Sequence, residues 1–237
     1  MDKINFAGGE PFLHPRLPDY CKAAKDLGMT VSITTNGSLL NRERIRCLCN
    51  VLDWIALSID SGSNEIERLL GRGFGDHVSH CLEVAGMIRE AGIRLKMNTT
   101  VTALTYQENM ITLAERIKPD RWKVLQMMHI CGENDGAVED LTITSDQFGR
   151  FVERHRRFVL NSGEMPVFES CDAMENSYFM ITPGGNVKTD TGNVISKFSL
   201  EEIISCGVDH FVSTEKYQNR GGIYEWNTKR NTSGFRE

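Results

Sequence analysis

The 237-residue sequence has no run of 18 uncharged apolar residues, which excludes a transmembrane helix as its organising element. It also has no CxxC or CxxxC pair. Its seven cysteines, at positions 21, 47, 49, 81, 131, 171 and 206, are odd in number and scattered. They fit a reducing compartment better than a disulfide framework, and most read as small buried apolar residues. Positive charge is in short supply: 27 Lys and Arg face 32 Asp and Glu, for a net charge of −5. That balance argues against general binding to nucleic acid or to an anionic membrane surface, so any polyanionic ligand must meet a local cluster. No secretory signal opens the chain, and the expected location is cytoplasmic. Internal repeats and low-complexity stretches are absent.

What is present is ordinary globular material, 40% hydrophobic and 25% charged, at a length that suits one core. Apolar runs rich in β-branched residues at 4–6, 30–34, 54–59, 93–101 and 122–128 predict strands. Helical patterns near 17–27, 41–50, 63–70, 77–91 and 107–118 alternate with them. The βαβα rhythm predicts an α/β fold with a parallel sheet, either barrel or doubly wound, whose chemistry gathers at the C-terminal strand ends. After Met128 the rhythm fades. A helix opened by Ser145 and a hairpin across Pro183-Gly184-Gly185 are expected there, and the last residues, 227–237, are polar enough to fray. The expected division is a barrel core at 1–130 and a C-terminal helix, hairpin and closing tail at 131–237.

Three polar turns fall at predicted strand ends. The strand Ile4–Phe6 runs into Ala7-Gly8-Gly9-Glu10-Pro11, where two glycines allow close backbone approach to a ligand and proline fixes the exit. Thr35-Asn36-Gly37 ends the second strand, and Ser58-Ile59-Asp60-Ser61 the third. In isolation each reads equally as a turn signal. Gly71-Arg72-Gly73 sets a cation between two glycines, suited to a carboxylate ligand or to solvent.

The strongest signal is a pair of strands carrying Arg94, Lys96 and Asn98, then Arg121 and Lys123. Side chains alternate along a strand, so Lys96 and Asn98 share one face, with Leu95 and Met97 opposite. Arg121 and Lys123 likewise oppose Trp122 and Val124. If the apolar faces pack under helices, the cations point into the barrel. Buried cations need an anion of comparable charge, either a triphosphate or protein carboxylates, unless they line the strand ends as solvated charge.

In order along the chain, FAGGEPFLHP, TNG, the polar third-strand end, GRG, KxN and RWKV resemble the viperin family of radical-SAM nucleotide dehydratases. The resemblance extends to Lys3 in KINF, Gly132-Glu133-Asn134, Asn176-Ser177-Tyr178 and Arg220-Gly221-Gly222-Ile223-Tyr224-Glu225-Trp226, covering residues 3 to 226. It implies a partial radical-SAM (βα)6 half-barrel lacking the first βα unit, with a C-terminal extension. It also implies that Gly8, Gly9, Glu10, Pro11, Asn36, Ser58 and Arg72 bind S-adenosylmethionine, Glu10 and its turn meeting the amino group and Arg72 the carboxylate. Lys3, Lys96, Asn98, Arg121 and Lys123 would bind the substrate phosphates, and Tyr178, near the ribose, would be catalytic.

The family holds a [4Fe–4S] cluster through CxxxCxxC on the loop after the first barrel strand, and this sequence has no such loop. The expectation is a missing N-terminal segment carrying the cluster ligands, no metal ligand among the residues present, and a chain inactive as printed. For the intact enzyme the resemblance implies hydrogen abstraction from C4′ of a nucleoside triphosphate, loss of the 3′-hydroxyl, and delivery of an electron and a proton. The product would be a 3′-deoxy-3′,4′-didehydro nucleotide serving antiviral defence. Expected partners are the nucleoside triphosphate and an electron donor, with a monomeric protein and neither nucleic acid nor membrane. Competing readings are a radical-SAM enzyme with another substrate, a lyase using Lys96 as a Schiff base, and an inactive nucleotide-binding fragment.

Overall fold

The computed structural model describes residues 3–130, 134–136, 138–191 and 194–222. Six parallel strands stand side by side in chain order: β1 (Lys3–Phe6), β2 (Thr30–Thr35), β3 (Trp54–Ser58), β4 (Arg94–Val101), β5 (Arg121–Gln126) and β6 (Val167–Glu169). Helices α1 (Leu17–Asp26), α2 (Arg42–Leu48), α3 (Asn64–Leu69), α4 (His77–Glu90), α5 (Ile111–Ile117) and α6 (Ser145–His155) make the crossovers. The sheet curls into a half-barrel. Parallel neighbours require such crossovers, and the helices cover one face of the sheet.

Local chemistry sets the helix starts. Asn41 caps α2 by accepting from Arg44 N at 2.9 Å, and Thr144 and Gln147 form a reciprocal capping box at α6. This helix begins at Ser145, as the sequence predicts.

Val31, Ile33, Ile55, Leu57, Leu95, Met97, Trp122 and Val124 are all buried in the core between sheet and helices. Each such side chain contributes about 1.5–3 kcal/mol when removed from water. Trp122 also satisfies its indole N–H, donating to Thr99 Oγ1 at 3.0 Å. With the apolar positions committed outward, the intervening residues take the concave face. Lys3 and Asn5, Ser32 and Thr34, Trp54 and Ser58, Arg94, Lys96 and Asn98, and Arg121 and Lys123 belong to it. The register Ala56↔Lys96, Ser58↔Asn98 and Asn98↔Lys123 keeps them level.

The five strands expected from sequence are present. A sixth, β6, is contributed by the segment after residue 130 and pairs with β5 from Lys123↔Val167 to Leu125↔Glu169. Beyond it come α7 (Cys171–Met174), an antiparallel sheet of β7 (Met180–Ile181), β8 (Val187–Thr191) and β9 (Val194–Phe198), then α8 (Leu200–Cys206) and α9 (Thr214–Asn219). The β7–β8 hairpin turns across Pro183-Gly184-Gly185, as expected, with Ile181 opposite Val187. The chain then returns to the barrel, where Arg121 donates to the Gly221 carbonyl at 2.6 Å. The Gly132-Glu133 and Ile223–Trp226 motifs and the fraying tail lie outside the described residues. No helix among the described residues is long and apolar enough to cross a membrane.

Candidate functional site

The turn after β1 is built around a fixed carboxylate. Glu10 accepts from Thr35 Oγ1 at 2.8 Å, from Asn36 N at 3.0 Å and from Phe12 N at 3.2 Å, joining this turn to the end of β2. Gly8 sits at φ 133°, a conformation that side chains rarely adopt, and no atom lies within 4 Å of a Cβ built on Gly8 or Gly9. The surface above the two glycines is therefore open to a ligand. Asn36 closes the next turn, its Oδ1 accepting from Ser38 N at 2.8 Å. It lines a cavity of about 600 Å³ with Asp60, Arg72, Thr100 and Met127.

Arg72 takes a more determined position than its loop suggests. It binds Asp60 through Nε at 2.8 Å and through Nη2 at 2.7 Å. Asp60 in turn accepts from Thr100 N at 2.7 Å. Behind them lies the fully buried Glu67, whose Oε1 accepts from Asp60 N and Ser61 N at 2.6 and 2.7 Å. Its other oxygen lies 3.7 Å from Arg72 Nε and 3.9 Å from His77 Nε2. Burial, then the nearby Asp60 charge, pushes the Glu67 carboxyl up to about 7. His77 donates to the Ser58 carbonyl at 3.0 Å, so the end of β3 is anchored from the helix side.

Below this rim the concave face is strongly cationic. Lys3 and Lys96 share a hydrogen bond, and burial pushes the Lys3 ammonium from 10.5 down to about 8. Burial, followed by the charges of Lys3, Lys123 and Arg121, drives Lys96 well below its ordinary value. Lys123 is pushed down by burial to about 8, although Glu169 opposes the shift. The side-chain oxygen of Asn98 is buried without a hydrogen-bond partner. Lys3, Lys96, Arg121 and Lys123 thus converge as the alternation of β4 and β5 predicts.

Lys123 meets a protein carboxylate that sequence reasoning missed. Glu169 on β6 is 2% exposed, with Lys123 Nζ at 2.9 Å and Arg220 Nη1 at 3.0 Å from its Oε1. Tyr178 donates to Glu169 and accepts from Lys123. The phenol ring has the Arg220 guanidinium 3.9 Å away and the Lys123 ammonium 4.7 Å away. Tyr178, Lys123, Glu169 and Arg220 therefore form one unit, drawn from β5, β6, the loop before β7 and the end of α9. Of the predicted residues, Glu10 and Asn36 meet at the upper turn, Arg72 lies across the cavity, and the cations with Tyr178 lie below. No group of three or more His, Cys, Asp or Glu able to hold a metal ion occurs among the described residues.

Residues 1–118 match the Radical SAM superfamily. The structure of anSMEcpe with bound AdoMet shares the fold, with a TM-score of 0.62 at 15% identity over 88% of this chain and 67% of that one. Half-barrel and upper turn together thus define a protein of the radical-SAM class. Its relatives narrow this further. An S-adenosylmethionine-dependent nucleotide dehydratase of Thermoplasmatales archaeon (strain ISO4-H5) is 35% identical over 95% of this chain and 80% of its own length. One from Lacinutrix mariniflava is 36% identical over 98% of this chain and 49% of its own length. The dehydratase RSAD2 of Danio rerio is 32% identical over 95% of this chain and 66% of its own. The chain belongs to the viperin-type family of S-adenosylmethionine-dependent nucleotide dehydratases.

Proposed function

We propose that the protein converts a nucleoside triphosphate to its 3′-deoxy-3′,4′-didehydro form. The observation that carries this reading is the convergence of half-buried Lys3 and Lys123 with buried Lys96 and Arg121 beneath the cavity lined by Asn36, Asp60 and Arg72. Desolvated cations of this density are costly alone and well matched to a polyphosphate.

The fixed Glu10 carboxylate and the open backbone of Gly8, Gly9 and Pro11 suit the amino group of S-adenosylmethionine. Asn36, Ser58 and Arg72 would hold the remainder. Arg72 would reach the cofactor carboxylate from its seat on Asp60, which orients the guanidinium and leaves further N–H donors. When bound, S-adenosylmethionine supplies the hydrogen-abstracting group. The side chains of this chain supply placement. Lys3, Lys96, Asn98, Arg121 and Lys123 would fix the phosphates and thereby the ribose. Tyr178, in contact with Lys123, would face the ribose. Its hydroxyl, hydrogen-bonded to both Lys123 and Glu169, is the group we assign to the closing proton or hydrogen delivery. An external electron donor completes the balance.

The test is anaerobic incubation of the chain, joined to a CxxxCxxC-bearing segment and reconstituted with iron and sulfide, with S-adenosylmethionine, a reductant and each common nucleoside triphosphate. The expected result is 5′-deoxyadenosine together with a nucleotide lighter by one water. Formation of 5′-deoxyadenosine with every nucleotide unchanged overturns the substrate assignment. Binding, measured in parallel, needs no cluster. The triphosphate should bind more tightly than its nucleoside and lose that advantage in Lys123→Ala; equal binding of the two by the unsubstituted protein also overturns it.

A further inference from the structure

Glu67 is the one buried residue of α3, and no step of the proposed reaction uses it. A carboxyl at 0% exposure is costly to hold away from water, so its position calls for a reason. Two sets of hydrogen bonds leave this residue, and both end at Arg72.

The first runs through the backbone. Gly71, at φ 80°, closes α3 in a left-handed turn. That turn brings Arg72 N to the Glu67 carbonyl at 2.8 Å. The second runs through the side chain. Glu67 Oε1 accepts from Asp60 N and Ser61 N, which pins the end of β3 against α3. Asp60, held in this way, has both oxygens committed: Oδ1 accepts from Thr100 N at 2.7 Å, and Oδ2 takes Arg72 Nε and Nη2. Arg72 Nη1 makes no hydrogen bond among the described residues, and the side chain, 26% exposed, lines the cavity. The other oxygen of Glu67, Oε2, has no hydrogen-bond partner. The geometry therefore uses the reach of Oε1 and makes little use of the charge.

We propose that Glu67 is the positioning residue of the cofactor site, fixing Arg72 N through its own carbonyl and the Arg72 guanidinium by way of Asp60. This rests on the assignment of Arg72 to the S-adenosylmethionine carboxylate and adds the residue on which its aim depends. A guanidinium presents paired donors in one plane only, so an arginine held in that plane before the ligand arrives binds a carboxylate without a further ordering cost.

The test separates length from charge at position 67, in the chain joined to a CxxxCxxC-bearing segment and reconstituted with iron and sulfide. Glu67→Gln preserves an acceptor at the same reach and removes the charge. Glu67→Asp preserves the charge and withdraws it by one carbon–carbon bond. Calorimetry with S-adenosylmethionine should find Glu67→Gln within about twofold of the unsubstituted protein, and Glu67→Asp weaker by about tenfold or more. Nucleoside triphosphate affinity, which would be set on β1, β4 and β5, and the folded fraction by circular dichroism should hold in both variants. Weakening in Glu67→Gln as large as that in Glu67→Asp, no weakening in Glu67→Asp, or a loss that follows the folded fraction overturns the positioning role. Arg72→Gln checks the underlying reading: if it binds S-adenosylmethionine as tightly as the unsubstituted protein, the cofactor assignment of Arg72 falls, whatever position 67 shows.

Discussion

Glu169 Oε1 lies 2.9 Å from Lys123 Nζ at the seam between β5 and β6, with the two side chains 2% and 17% exposed. The same oxygen takes Arg220 at 3.0 Å, so one carboxylate neutralises two desolvated cations. Removing one member of a buried ion pair leaves its partners uncompensated and costs about 3–5 kcal/mol. Glu169→Ala should therefore lower the unfolding free energy by about that amount in urea titrations. Glu169→Gln should cost less, because the amide oxygen can still accept. A loss under about 1 kcal/mol for Ala would show that water replaces the carboxylate.

The depressed lysines make stability depend on alkaline pH. Lys3 and Lys123 have folded values of about 8 against an ordinary 10.5. Between those limits the unfolded chain holds protons that the folded chain has released. Stability must rise with pH across that window, and the penalty of the buried charges is fully present below about 8. Thermal melts of the unliganded protein should show this slope, reduced in Lys3→Met.

Nucleotide binding should reverse that linkage. Phosphate charge favours the ammonium forms, so binding takes up protons and affinity falls as pH rises through about 8. Calorimetry in buffers of different ionisation enthalpy would measure the uptake. Binding without uptake near that pH would place the phosphates away from these lysines.

Glu67 gives the opposite sign in acid. Its folded value near 7 exceeds the ordinary 4.5, so the folded chain retains a proton that the unfolded chain loses between them. The stabilisation from that proton is complete below 4.5 and is lost as pH rises through about 7. Glu67→Gln keeps an oxygen for the backbone donors of Asp60 and Ser61 and should flatten this part of the melting profile.

Tyr178→Phe separates chemistry from packing. The ring contacts with Arg220 and Lys123 survive, whereas the hydroxyl bridge between Lys123 and Glu169 is lost. Unfolding free energy should fall by only about 0.5–1.5 kcal/mol, the worth of a typical hydrogen bond. Turnover by reconstituted enzyme joined to a CxxxCxxC-bearing segment should collapse, with substrate affinity nearly unchanged. Unaltered turnover would remove Tyr178 from the catalytic role.

Much of the sheet was legible because period-two alternation is written into it. Leu95, Met97, Trp122 and Val124 declare one face, and Lys96, Asn98, Arg121 and Lys123 the other. The three residues of β6 are too few for any period to register, so Glu169 was invisible, marked only by lying between Phe168 and the helix cap Ser170. Trp54 opens the uniformly apolar run of β3, which does not reveal which side faces inward. The union of Arg72 with Asp60 spans 12 residues and depends on tertiary placement; the GRG spacing showed only that an arginine had room to reach something.

Arg121 reaches the carbonyl of Gly221, exactly one hundred positions later, and Arg220 closes on Glu169 across 51. Such distant partners give assembly a definite order on the ribosome. A nascent chain that has paired β1 through β5 still lacks the groups that fix Arg121 and Lys123. The cluster of Lys123, Glu169, Tyr178 and Arg220 is consequently finished last, and a stalled or clipped product ending before residue 220 would keep its sheet while losing the contacts that fix Arg121 and Glu169.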